Sequence, residues 1–568
     1  MKKSASSQMT YFKPRCRFHS SSGRLAAGLL LLLAAAAAFP AASQRKFYID
    51  DPIAREPETK DASRAKPKDT HLGYDLALNL FARPGDRRIV RAQNINTIDE
   101  VPDSSWFTNR ILARPMSMDE LTTGPNTGSG PAPGTWTVIR AKHSGVTAGF
   151  TIRDSAGQVW FVQFDAPGYD QAASGAVVVA TKIFHALGYF QSENYISELR
   201  PGNLDIDPKT MVQAPSGRVR QMRPDDIAGV LEHAHRRPAG SYRLIASKAL
   251  PGKVLGGFMY HGTRPDDPND VVPHEHRREL RALRVFGAWT NLVDMKALNT
   301  LDTLIIENNR GYIRHYLQDV GSTFGMAALA PREWDEGYEY LFEGAKTWKR
   351  LASLGFYLQP WQTIPYYEEY RSIGRFEADR FDPEQWKPRV PTAAFLRARA
   401  DDNFWAARRV MAFSDKMIRA IVKTGQYSDA AAERYLADVL IKRRDKIGKA
   451  YLPAVNPLVD FALDATGTLT FVNAAVQARV ASAPAGGYEV RWFRFNNDAG
   501  EATPLGSPAI FAGSSIQAPV PLPAEPGAFI KVEVNAVDPP HPSWKEPVQA
   551  YFRRTAAGWK LVGVERLP

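Results

Sequence analysis

Trp289 to Gly325 reads WTNLVDMKALNTLDTLIIENNRGYIRHYLQDVGSTFG, and its punctuation decides the fold. Asp294, Lys296 and Asn299 are spaced as D-x-K-x-x-N. A mostly apolar run, Leu301 to Ile306, breaks at the polar turn Glu307 to Gly311, and a second run, Tyr312 to Leu317, delivers Asp319-Val320-Gly321. Two apolar runs about a short polar turn predict a hairpin. Loop, strand, turn, strand, then an acid before Gly can bring two carboxylates and one amide together. Phosphoryl transfer uses such a group: one carboxylate orients the attacking hydroxyl, while an Asn oxygen and a second carboxylate hold the metal on the nucleotide phosphates. The plainer alternative is a loop Asp capping a helix, an Asn holding a turn, and a hairpin that ends in an Asx turn.

Taken in that order, these residues resemble the catalytic and metal-binding loops of the protein-kinase-like superfamily, D-x-x-x-x-N followed by D-F-G. Leu292 stands where that pattern has His or Tyr, and Val320 replaces its Phe. The resemblance implies that Asp294 orients a hydroxyl and Lys296 stabilises the transferring phosphoryl group. It implies Asn299 and Asp319 as Mg²⁺ ligands and ATP as donor. In broad terms it is to atypical exported kinases, such as those of spore coats and the secretory pathway.

The chain has 568 residues, enough for two to four domains. Met1 to Arg24 carries six basic residues and no acid, Leu25 to Ala38 is an uncharged Leu/Ala run, and Ala41-Ala42-Ser43 offers small residues for cleavage. This order predicts an export signal over residues 1–43. The competing reading is an uncleaved anchor, but Leu25 to Ala42 is short for a span and contains Pro40. Removing the segment takes the net charge from +12 to roughly +6, so the basic balance does not argue for nucleic acid. The single cysteine, Cys16, lies in the signal, which leaves the mature chain without disulfides, thiolate metal sites or a cysteine nucleophile. An exported chain of this kind suits a bacterial periplasm or cell surface.

Residues 44–134 read as an N-terminal extension and linker: extended or poorly ordered to about Asp69, then an ordered loop around Trp106-Phe107 that docks elsewhere, then a Gly/Pro-rich connection. From Thr135, TWTVIRAK, GFTIRD and QVWFVQF alternate as three antiparallel strands. Ala172 to Tyr189 follows as a helix, with Val179, Ile183, Phe184 and Leu187 at helical spacing. SYRLIASKAL and KVLGGFMYH would complete this small sheet.

A protein kinase has a Lys on the third strand, paired with a Glu on the helix, to hold the α- and β-phosphates. Here Gln163 takes the Lys position, and Val177 or Val178 stands where the Glu is expected. Gly145 and Gly149 are the only glycines of the first turn, and Lys182 or Lys248 would have to supply the missing cation. The plainer reading, which the sequence favours for each of these two lysines, is a solvated side chain. His274-Glu275-His276 lacks the spacing of a metal helix and reads as a solvated helix start. After Gly325 the aromatic stretches to Phe381 and the block Ala393 to Leu452 read as packed helices, with Arg443-Arg444-Asp445-Lys446 on a solvated face. Alternating strands return from about Asn456.

The expected class is therefore α+β: a two-lobed protein-kinase-like core with a C-terminal β-sandwich-like domain. Its small β-rich lobe spans 135–261, its large helical lobe 262–455, and the β domain 456–568. The function expected is ATP/Mg-dependent phosphoryl transfer to an envelope or secreted substrate. The alternative is a pseudokinase that binds an envelope protein or a glycan as a scaffold.

Overall fold

The computed structural model describes residues 45–142, 147–214, 216–354, 356–363 and 369–566. The segment expected to be an export signal and Gly145 lie outside them. The architecture is mixed α+β.

The three alternating stretches form β1 (Trp136–Ala141), β2 (Gly149–Arg153) and β3 (Val159–Phe164), and helix α1 (Ala172–Leu187) follows. Three further strands join them: β4 (Asn194–Leu199), β5 (Leu204–Ile206) and β6 (Tyr242–Lys248). The six lie in the order β4-β6-β3-β2-β1-β5. All neighbours are antiparallel except β1 and β5. One face carries Val138, Ile152, Trp160, Val162, Phe164 and Leu244, buried with Ile227 and Leu231 of the helix Pro224–Glu232. The intervening residues of β3, Phe161 and Gln163, therefore point to the other face. Helix α1 buries Val179, Ile183, Phe184 and Leu187, as its spacing predicted, but into the core of the helical body.

The strand β7 (Lys253–Gly256), expected to extend the small sheet, does not join it. It pairs instead with β8 (Leu301–Glu307), which with β9 (Arg310–Tyr316) forms the predicted hairpin. Asn308 and Asn309 turn the hairpin with φ of 49° and 59°. Two adjacent left-handed residues match the twist of the strands. The body is built on α2 (Leu283–Thr290), α3 (Ala400–Met411), α4 (Asp415–Lys423) and α5 (Ala430–Tyr451). Between Gly325 and Phe381 the helical expectation fails: only Gly344–Ala352 is an α-helix among the described residues there. Its neighbours are aromatic side chains held by loop hydrogen bonds and cation contacts, such as Arg375 over Trp334 at 4.2 Å.

The C-terminal region holds a three-stranded and a six-stranded sheet. Leu458, Leu469 and Ile516 of the first share one apolar core with Trp492, Ile530 and Val534 of the second. That core continues into the helical body through Leu452 and Val455.

The extension is ordered from Arg45 onward. Phe47 packs on Phe495, Phe529 and Tyr551 of the last sheet. Asp61 accepts a hydrogen bond from Gly311 N, and Lys68 N donates to Leu255 O. Trp106 stacks on His315 at 3.5 Å between ring centres, so the aromatic pair does dock on the body. His274-Glu275-His276 is buried, as are Arg277, Arg278 and Arg281, which corrects the expectation of a solvated helix start. Arg278 pairs with Asp99, Asp401 and Asp402, and Arg281 with Asp402. His274 meets Asp270, and Arg277 meets Glu56. Acids from the extension and from α3 converge on these cations, and buried charge requires such partners. Arg443 is likewise buried, over Phe376 and Phe381, and does not belong to a solvated face.

Candidate functional site

Helix α2 ends at Asn291, whose φ of 56° is left-handed. Asn tolerates that conformation better than most residues, and its Oδ1 accepts from Trp386 Nε1 at 2.8 Å. The chain then runs extended. Leu292, Val293, Met295 and Ala297 are buried, while Asp294 and Lys296 alternate outward. Leu292 thus acts as an apolar peg beneath the loop. Lys296 Nζ lies 2.6 Å from Asp294 Oδ2. A single 3₁₀ turn, Ala297–Asn299, brings Asn299 back over the loop, where its Nδ2 donates to Asp294 O at 2.7 Å.

The hairpin returns the chain to the same place. Asp319 N donates to Asn299 O at 2.9 Å, and this bond ties the two loops together. Asp319 Oδ1 accepts from Gly321 N at 3.0 Å, so the Asx turn of the plainer alternative is present on one carboxylate oxygen. Burial pushes the Asp319 carboxyl above its ordinary range; the like charge of Asp294 adds to this, and Lys296 and Arg332 oppose it. The residue is nonetheless exposed to solvent, which moderates that effect.

The site faces the small sheet and α1. A Cβ on Gly321 would stand 2.9 Å from Val177 Cγ2, so Val177 occupies the place against the Asp319 turn where an acidic partner was expected. Gln163 lies on the face of β3 away from the small core, beside Gly149 of β2. Gly149 is a strand glycine whose Cβ would collide with Val162 O, which marks it as a close backbone approach and not a phosphate cradle.

The two proposed replacement cations lie elsewhere. Lys182 is buried with its Nζ on Thr123 O at 2.5 Å, and Lys248 pairs with Glu193 at 2.8 Å. Sequence reasoning also missed Asp75. This buried carboxylate from the extension accepts from Ala297 N at 3.0 Å and from Asn79 Nδ2 at 2.8 Å, and so props the Asp294 loop from beneath. Its position 222 residues from Ala297 leaves no local signal.

Asn299 and Asp319 offer oxygen donors of the kind that Mg²⁺ takes, and the Asp294–Asp319 repulsion is what a divalent cation relieves. Among the described residues no cluster of three or more His, Cys, Asp or Glu could hold a metal unaided. A cation here would fill its shell from phosphate oxygens and water. A cavity of about 470 Å³ lies apart from these residues, against Asn291, Trp361, Arg375 and Trp386. Its Glu336 is already paired with Arg332 and Arg389, so its size alone does not make it the reactive site.

The site thus belongs to a class defined by two carboxylates and an amide on a loop–hairpin–loop, set against a small antiparallel sheet with its helix. No protein-family model matches the chain, and no curated protein does. Several solved structures match, and two of them are of a Golgi casein kinase. The Golgi casein kinase is 12% identical, over 70% of this chain and 96% of its own, with a TM-score of 0.28. The Golgi casein kinase with Mn/ADP bound is 10% identical, over 58% of this chain and 76% of its own, with a TM-score of 0.26. At these scores the likeness adds nothing to the geometry.

Proposed function

We propose that this chain is an exported kinase-like protein that binds a nucleotide and a divalent cation at Asp294, Asn299 and Asp319. The observation that carries the reading is the bond from Asp319 N to Asn299 O, which holds two sequence-distant loops at one point. Asn299 and Asp319 would hold the cation, which when bound would neutralise phosphate charge. Asp294 would orient an acceptor hydroxyl, with Lys296 beside it. The hydroxyl oxygen forms the new bond to the γ-phosphorus, the bond to the diphosphate breaks, and the hydroxyl proton passes to Asp294 or solvent. The acceptor would be an envelope or secreted molecule. Among the described residues no helix is long and apolar enough to cross a membrane.

One observation favours a second reading. With Val177 against the Asp319 turn and no acid in α1, no carboxylate orients a phosphate-binding cation from the helix, which suits a pseudokinase scaffold.

Thermal stabilisation by ATP, with and without Mg²⁺ or Mn²⁺, decides between them. The parent should be stabilised only with the cation, and Asp319→Asn should lose the effect. Asp294→Asn should keep nucleotide binding and lose transfer of the γ-phosphate. Binding without transfer by the parent would favour the scaffold, and no response at millimolar ATP would end the nucleotide reading. Intact mass of protein from its host, lacking residues to about Ser43, tests export.

A further inference from the structure

We infer that the cation for the nucleotide phosphates comes from the first strand of the small sheet, as Lys142, and not from the third strand or from α1. The inference rests on the proposed nucleotide site. The strand register carries it. Arg140 pairs with Thr151, Ala141 with Phe150, and Gly149 with Gln163. Side chains alternate between sheet faces, and Phe150 and Val162 fill the small core; the bulge between Val138 and Arg140 resets the alternation, so that Ala141, opposite Phe150, is on the core side. Lys142 therefore falls on the opposite face with Gln163, and between them stands Gly149, which has no side chain to block the way.

The amine takes that route. Lys142 Nζ donates to Thr147 O at 2.9 Å and also to Thr147 Oγ1. Thr147 Oγ1 in turn lies 3.4 Å from Gln163 Oε1, the position that a third-strand lysine would occupy. Among the described residues these donors meet only neutral oxygens, so the ammonium charge is left for something else. The acid whose charge acts on it is Asp319, across the junction between sheet and hairpin. A half-buried ammonium that forms no salt bridge among the described residues, within the field of a metal-type carboxylate, fits the di- or triphosphate of a nucleotide. Lys182 and Lys248 do not compete, being turned to Thr123 O and to Glu193.

The test titrates Mg·ADP and Mg·ATP against the parent and against Lys142→Gln. Loss of one charge-assisted bond should weaken binding about ten- to a hundredfold. Lys248→Gln should bind as the parent does. Lys142→Arg should retain most of the affinity, which guards against a folding defect in the Gln variant, and circular dichroism checks each fold. The double variant Lys142→Gln/Gln163→Lys should recover affinity, because it returns the charge to the same spot. Binding by Lys142→Gln equal to the parent's overturns the inference while leaving the nucleotide site intact. A parent that binds no nucleotide overturns both, which separates the two failures.

Discussion

Lys182 shows how a side chain that a motif search selects can belong to the interior. Burial pushes its ammonium down to about 8 from an ordinary 10.5, with Glu193 opposing. Between about pH 8 and 10.5 the unfolded chain therefore keeps a proton that the folded chain has released, and stability rises with pH across that window. Below about pH 8 both states are charged and the burial cost is felt in full. Lys182→Met should then stabilise the protein at pH 7 by on the order of 1–3 kcal/mol, the smaller figure if the Thr123 carbonyl is left without a donor. It should also abolish the rise toward pH 10. Urea unfolding of both proteins at pH 7 and 9.5 reads the effect, and an unchanged pH slope in the variant would contradict it. Lys182 lies five residues beyond Val177, and five residues on a helix turn the side chain well away from the face that meets Gly321. The structure excludes it by setting Val177, and not Val178, against the Asp319 turn.

At the scale of elements, the Asp294 loop is held by a carboxylate from a distant helical turn. Asp75→Ala would leave Ala297 N buried without an acceptor, at a cost of about 1–3 kcal/mol. Asp75→Asn keeps an oxygen in place and should cost less. Hydrogen exchange at residues 294–299 should quicken in the Ala variant and little in the Asn variant. Equal exchange in all three would remove Asp75 from the support of the loop. Elements with a clean period were legible in the sequence: the hairpin about Asn308-Asn309, the three strands of the small sheet, α1, and the long α5. Their side-chain pattern is set by neighbours two to four residues away. The aromatic stretch before Phe381 was not legible, because its order comes from cations and carbonyls supplied by other parts of the chain. The site itself was half legible. Asp294, Asn299 and Asp319 are joined by the bonds from Asn299 Nδ2 to Asp294 O and from Asp319 N to Asn299 O, whereas Asp75 reaches the loop through tertiary geometry.

For the whole molecule, the arginines around Arg278 hold the extension and α3 together. Asp402 accepts from both Arg278 and Arg281 and is itself buried. Asp402→Ala takes from buried Arg281 its carboxylate partner and leaves Arg278 with Asp99 and Asp401 alone, and should cost about 3–5 kcal/mol of unfolding free energy. The exposed pair Arg419–Asp438, with side chains 48% and 53% exposed, should yield no more than about 1 kcal/mol when Asp438 becomes Ala. Chemical denaturation of the two variants tests the contrast, and similar losses would show that the buried network is not what binds the body. Leu452, Val455 and Leu458 carry one apolar core across the end of α5. A chain ended at residue 452 should accordingly aggregate, which light scattering would register.

The seat of Phe47 has a consequence in time. Tyr48 O accepts a bond from Arg553, 505 residues away, and Phe47 N meets Asn497 at a separation of 450. A ribosome working at about 5–20 residues per second needs roughly half a minute to a minute and a half to cover that interval. Through all of it the earliest part of this strap has nothing to fasten to. The fold is latched at its front end only when its final hairpin exists, so the first residues translated among those described are among the last to find their place.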